Sequence, residues 1–166
     1  MSGKFLMLAL VLIAMAGRAA PPDRTPRASR PFPADALVTQ RAVLTVRGRQ
    51  FTLNGYLALS ATGGKRLIVT ENFGAVLADV LVKRDGTVQV IRSSRVFSPA
   101  WIQRYVVADM QCIFGGMHDT ACPVRMLSAT HFVIERRWYK LDLQIVGIKP
   151  GRQKPGMFDG TNRVAS

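Results

Sequence analysis

The chain has 166 residues, 48% of them hydrophobic and 8% aromatic, with 23 Lys and Arg against 10 Asp and Glu and a formal charge of +13. That length has room for one domain, and the balance of apolar and charged residues excludes a wholly disordered chain and a polytopic membrane protein. So strong a positive charge favours anionic partners, nucleic acid or an acidic membrane surface, although arginine that serves only solubility gives the same total.

The chain begins with Lys4, an unbroken apolar run from Phe5 to Ala16, and small residues at Gly17, Ala19 and Ala20. This is the order of a secretory signal, and the run is shorter than the about 20 residues of a membrane-spanning helix. The alternatives are an uncleaved anchor or a buried helix. Arg18 stands where a bacterial lipoprotein would carry its acylated cysteine, so cleavage near Ala19 and a freely soluble periplasmic product are expected, with outer-membrane anchoring in doubt. Removing residues 1–19 takes away Lys4 and Arg18 and no acid, leaving 21 basic residues against 10 acidic. In an exported protein that charge points to a membrane surface and away from nucleic acid.

Residues 20–36 hold five prolines with Arg24, Arg27 and Arg30 among them, the composition of a disordered linker. A flexible tail is expected over 149–166, where Gly, Pro and charge recur, leaving 37–148 as the folded domain.

Within that domain Val43 to Val46 is expected to open a sheet. Phe51, Leu53, Leu57 and Leu59 then fall on one side of a strand, with Thr52, Asn54, Tyr56 and Ala58 on the other. Gly55 interrupts the apolar row and reads as a bend or bulge. Arg66 to Thr70, Val76 to Lys83 and Thr87 to Arg92 supply three further strands, the last two joined by a tight Asp85-Gly86 turn. Ser98 and Pro99 then read as a helix start, Ile102, Tyr105, Val106, Met110 and Ile113 as one apolar helical face, and Gly115-Gly116 as its stop. Phe132 to Arg136 and the row Leu141, Leu143, Ile145 return to strand. Five strands, one helix and two strands give a mainly β fold: a curved antiparallel sheet or incomplete β-barrel covered by one amphipathic helix.

Little in the chain suggests catalysis. Neither His118 nor His131 sits in a nucleophile motif, and there is no nucleophile elbow, phosphate-binding glycine loop or paired-histidine helix. Asp79, inside an apolar strand, and Asp109, on the helix, are isolated acids; each serves a weak hydrolase reading or, more commonly, caps an arginine or turns to solvent. Cys112 and Cys122 are the only cysteines. In an oxidising compartment a flexible loop between them permits a disulfide; two free thiols or a metal site with a histidine are the alternatives, the latter without the short Cys-x-x-Cys clamp of zinc sites. No cofactor or metal is expected. Trp101, Tyr105, Trp138 and Tyr139 flank the helix start and the last strand, where they line a cavity mouth or serve ordinary packing.

Asn72-Phe73-Gly74, the helix segment Tyr105-Val106-Val107-Ala108-Asp109-Met110-Gln111 and the final Arg137-Trp138-Tyr139-Lys140-Leu141 together resemble an uncharacterised family of Gram-negative envelope lipoproteins, related to the outer-membrane lipoprotein carrier and receptor of the Lol pathway. The resemblance spans roughly Leu37 to Ile148. It implies an incomplete β-barrel closed by helix, with an apolar concave surface that shelters acyl chains, encoded beside enzymes of acyl- or aryl-polyene-type lipid synthesis and large lipid exporters. Arg18 departs from the receptor type, which favours a soluble, carrier-like shuttle.

The expected function is therefore non-catalytic binding or shuttling of lipid, acyl chain or lipoprotein in the cell envelope. Phe51, Leu53, Leu57, Leu59, Trp101, Tyr105, Val106, Leu141, Leu143 and Ile145 are the expected apolar cavity, and Arg66 and Arg104 the expected head-group cations. The alternative is an accessory subunit that docks on a lipid exporter.

Overall fold

The computed structural model describes residues 32–115, 122–152 and 157–158. The expected signal over 1–19 lies outside these, as does most of the expected linker. Among the described residues no helix is long and apolar enough to cross a membrane.

Eight strands form one open antiparallel sheet: β1 (Ala36–Val46), β2 (Arg49–Leu59), β3 (Lys65–Glu71), β4 (Val76–Val82), β5 (Val88–Ser93), β6 (Val124–Ser128), β7 (His131–Arg136) and β8 (Tyr139–Pro150). Their spatial order is β5-β4-β3-β2-β1-β8-β7-β6, so β8 closes back on β1 and the two edges are β5 and β6. The helix α1, over residues 99–114, is the connection between those edges, and the chain carries it across one face of the sheet. The expected curved sheet under a single helix is the observed architecture, with β6 as an additional strand.

Alternation sets the two faces. On β1 Ala36, Val38, Gln40, Ala42 and Leu44 are buried, and on β2 Leu53, Gly55 and Leu57, as period-two side chains facing the helix require. Phe51, toward the start of β2 and paired with Leu44, is 41% exposed. The ladder shifts register at Thr39/Gln40 between β1 and β8, at Val69/Thr70 between β3 and β4, and at Asp79/Val80 between β4 and β5. Such one-residue insertions bend a sheet locally and increase its twist.

Turn chemistry follows sequence at the β4–β5 hairpin. Gly86 has φ +84°, its N–H donates to Lys83 O at 3.0 Å, and Asp85 Oδ1 accepts from Thr87 N at 2.8 Å. The helix begins as expected too: Ser98 Oγ accepts from Trp101 N at 3.3 Å with Pro99 at the first turn. Its middle departs from an even 3.6-residue period. A π turn over Ile102–Val106 inserts one extra residue, so the buried face steps five residues from Ile102 to Val107 and then to Met110 and Phe114.

The core extends beyond 37–148 at both ends. Phe32 is buried with its ring centroid 4.9 Å from that of Phe114, and β8 continues through Lys149 to Pro150. Cys112, on the helix, is bonded to Cys122, which ties the helix end to the chain entering β6.

Candidate apolar binding site

Between the inner face of the sheet and α1 lies a cavity whose volume, traced by the centre of a water-sized sphere, is about 80 Å³. Its floor is Ala42 and Leu44 from β1, Leu53 and Gly55 from β2, Leu67 and Val69 from β3, and Leu141 and Leu143 from β8. Its roof is Phe97, Trp101, Val106, Met110, Ile113 and Phe114. The wall is thus overwhelmingly hydrocarbon, which rewards apolar occupants at about 25 cal/mol per Å² buried.

The cavity brings together half of the residues the sequence proposed. Leu53, Trp101, Val106, Leu141 and Leu143 line it. Leu57, Leu59 and Ile145 are packed in the core beside it, the first with no solvent-exposed surface. Tyr105 stands one shell back, edge-on to Tyr139 with centroids 5.7 Å apart. Phe51 lies at the exposed strand end.

The head-group assignment needs correction for Arg66. Leu67 and Val69 point into the cavity, so by strand alternation Arg66 faces the opposite side of the sheet. There Asp79 holds it, Nε to Oδ1 at 3.0 Å and Nη2 to Oδ2 at 2.8 Å, and Nη1 donates to Met157 O at 3.2 Å. The guanidinium caps a buried carboxylate, and its pKa is raised chiefly by the bond to Asp79. Arg104 remains exposed on the helix, 5.6 Å from the Tyr105 ring centroid.

Four residues with polar groups interrupt the apolar wall: Gln40, Asn54, Asp109 and Tyr139. Asp109, buried on the helix, accepts from Arg136 of β7 through Nε at 2.9 Å and Nη2 at 2.7 Å, both on Oδ1, while its Oδ2 accepts from the Tyr139 hydroxyl of β8. Burial pushes the Asp109 carboxyl above the usual carboxylate value, with the bonds from Tyr139 and Arg136 pulling the other way. Burial also works against charge on Arg136, yet the bond and charge of Asp109 carry its pKa upward. Tyr139 is held far above the ordinary phenol range, first by burial and then by the bond to Asp109. This triad is a latch between the helix and the β7–β8 hairpin. Trp101 stacks beside it, with its ring centroid 5.8 Å from that of Tyr139.

Gln40 is a polar residue of the wall that sequence reasoning passed over. It occupies an inner-face position of β1, is 6% exposed, lines the cavity, and its Oε1 has no hydrogen-bond partner among the described residues. Gly55 lies directly opposite in the ladder, and a Cβ there would overlap the Gln40 amide. Gly55 therefore makes room for Gln40. The β1–β2 register runs through Gly55 without a shift, which corrects its reading as a bulge. The signal available in the sequence was the alternating row Ala36, Val38, Gln40, Ala42, Leu44, with one polar residue among apolar ones.

Among the described residues no group of His, Cys, Asp and Glu is placed to hold a metal ion. His131 Nε2 instead lies 2.8 Å from Asp142 Oδ1 on the strand pair β7–β8. Asp79 and Asp109, the acids of the hydrolase reading, are both committed to arginines. Neither a scan against protein-family models nor a search of curated proteins gives a match to this chain.

Proposed function

We propose that the protein binds an acyl chain between α1 and the inner face of its sheet and carries it in the cell envelope without chemical change. The observation that supports this most is the cavity itself, a hydrocarbon-lined space between the covering helix and the buried face of the sheet. Interiors are normally packed to crystal-like density, so an apolar space under a covering helix marks a place for a ligand. At about 80 Å³ it is well below the roughly 300–1000 Å³ of sites that enclose a whole drug-sized ligand. It therefore takes the end of a chain, and a longer insertion requires the helix to lift from the sheet. Each methylene that enters contributes about 0.8 kcal/mol.

The exported, periplasmic setting belongs to the same proposal and is supported by the apolar run and small residues of 5–20 and by the Cys112–Cys122 bond. Docking on a lipid exporter is the second reading. It is favoured by Met126 and Leu127, exposed on the edge strand β6, which together offer apolar surface to a protein partner.

Mass spectrometry of protein purified from the envelope, followed by delipidation and titration with a fluorescent fatty acid, separates the two. Co-purifying lipid and saturable binding are expected for the carrier. A folded, delipidated protein that binds no acyl probe overturns it and leaves exporter docking.

A further inference from the structure

We propose that the acyl chain this cavity selects carries a hydroxyl group, which Gln40 recognises; the inference rests on the acyl-binding reading and specifies its ligand. The buried Gln40 side chain stands among Ala42, Leu44 and Leu53 on the cavity floor, with Oε1 unpartnered among the described residues. A buried amide oxygen without a donor is unfavourable, and apolar residues elsewhere on this face show that the position has no general need of polarity. The fold nonetheless reserves space for it. Gly55, its neighbour across the ladder, lacks the Cβ that would displace the amide.

The chemistry of the wall narrows the occupant. An ammonium or other cation finds no free counter-charge, because both oxygens of Asp109 are already held by Arg136 and Tyr139. A plain hydrocarbon satisfies the apolar lining and leaves Gln40 as it is. A hydroxyl both donates and accepts, so it matches the carboxamide whichever way its oxygen and nitrogen are turned. Gln40 is already removed from water by folding, so only the ligand's hydroxyl is dehydrated on binding, and the bond it forms is net favourable.

The test compares dodecanoic acid with a positional series of hydroxydodecanoic acids, each displacing a fluorescent fatty acid from delipidated full-length mature protein. At least one hydroxylated isomer is expected to bind about two- to tenfold more tightly than dodecanoic acid. Gln40→Met, which keeps the side-chain length and removes the amide, should abolish that preference, read as the ratio of affinities for the hydroxylated and plain chains measured on the same variant. Gly55→Ala, which pushes the amide aside, should reduce the preference in a protein still folded by circular dichroism. Equal binding of every isomer, or a preference that survives Gln40→Met, overturns the assignment and leaves acyl binding standing. Failure of all chains to bind removes acyl binding, and this inference with it.

Discussion

Arg136 of β7 reaches across to the helix and places two guanidinium nitrogens on Asp109 Oδ1, at 2.7 and 2.9 Å, so the covering helix is bonded to the hairpin whose apolar face it shields. The Asp109 side chain is 7% exposed and that of Arg136 23%, which makes this a largely desolvated pair. Removing one partner of such a pair leaves an uncompensated charge. Arg136→Met should therefore cost on the order of 3 to 5 kcal/mol in urea unfolding, and Asp109→Asn added to it should recover much of the loss. A loss below about 1 kcal/mol, the value of a surface ion pair, would show that the latch contributes little.

Tyr139 offers a reading of the same latch by pH. Its phenol is raised by burial and by donation to Asp109, so the folded state holds this proton more tightly than the unfolded chain. The stability that Tyr139 contributes is therefore complete below the ordinary phenol value of 10.0 and is lost as the pH rises toward the raised one. Phenolate absorbance of the protein and of Tyr139→Phe should coincide through the ordinary tyrosine range and separate only when alkali unfolds the domain. A phenolate missing from the variant before unfolding would contradict the buried bond.

Asp109 works in the opposite sense to the usual surface carboxylate. Because burial raises its pKa, its own contribution is greatest below the ordinary value of 3.8 and is lost as pH rises through the raised value. Nuclear magnetic resonance titration of its carboxyl carbon should show ionisation displaced upward, and a midpoint at or below the ordinary value would be the contrary result.

The Cys112–Cys122 bond closes a loop with a sequence separation of 10. Restriction of the unfolded chain by a loop of that length is worth about 2 to 3 kcal/mol. Cys112→Ser with Cys122→Ser should lower the unfolding free energy by this amount in denaturant titration. An unchanged midpoint would mean that the loop is already ordered in the unfolded chain.

Gln40→Met should raise stability by about 1 kcal/mol, because it replaces an amide oxygen that lacks a donor with an apolar group of similar length. Thermal unfolding of the delipidated variant and parent checks the sign. A clear loss would show that the amide is satisfied in solution.

Much of this architecture was legible in the sequence because it rests on strong local signals. Alternation in β2, the Asp85-Gly86 turn and the Ser98-Pro99 helix start each depend on a few neighbouring residues and appear as expected. The Cys112–Cys122 pairing also follows. What was not legible depends on partners distant in sequence. β6 escaped notice because its central residues, Arg125 to Leu127, are exposed and carry no apolar period. Arg66 was read as available because nothing local shows that Asp79, one strand away, claims the Nε and Nη2 edge of its guanidinium. The π turn shifted the buried face from Val106 to Val107, a one-residue change that an even helical period does not anticipate. Gln40 was hidden by starting β1 at Val43, which cut off the half of the strand where its alternation shows.

The central claim is that an acyl chain lies between α1 and the inner face of the sheet, and photo-crosslinking tests it most directly. A fatty acid with a diazirine at its chain end, bound to delipidated protein and photolysed, should label cavity residues such as Val106, Met110, Ile113, Leu141 and Leu143, and unlabelled fatty acid should compete the label away. Label confined to the opposite side of the sheet, around Arg66 and Asp79, or label that unlabelled fatty acid does not displace, would contradict it.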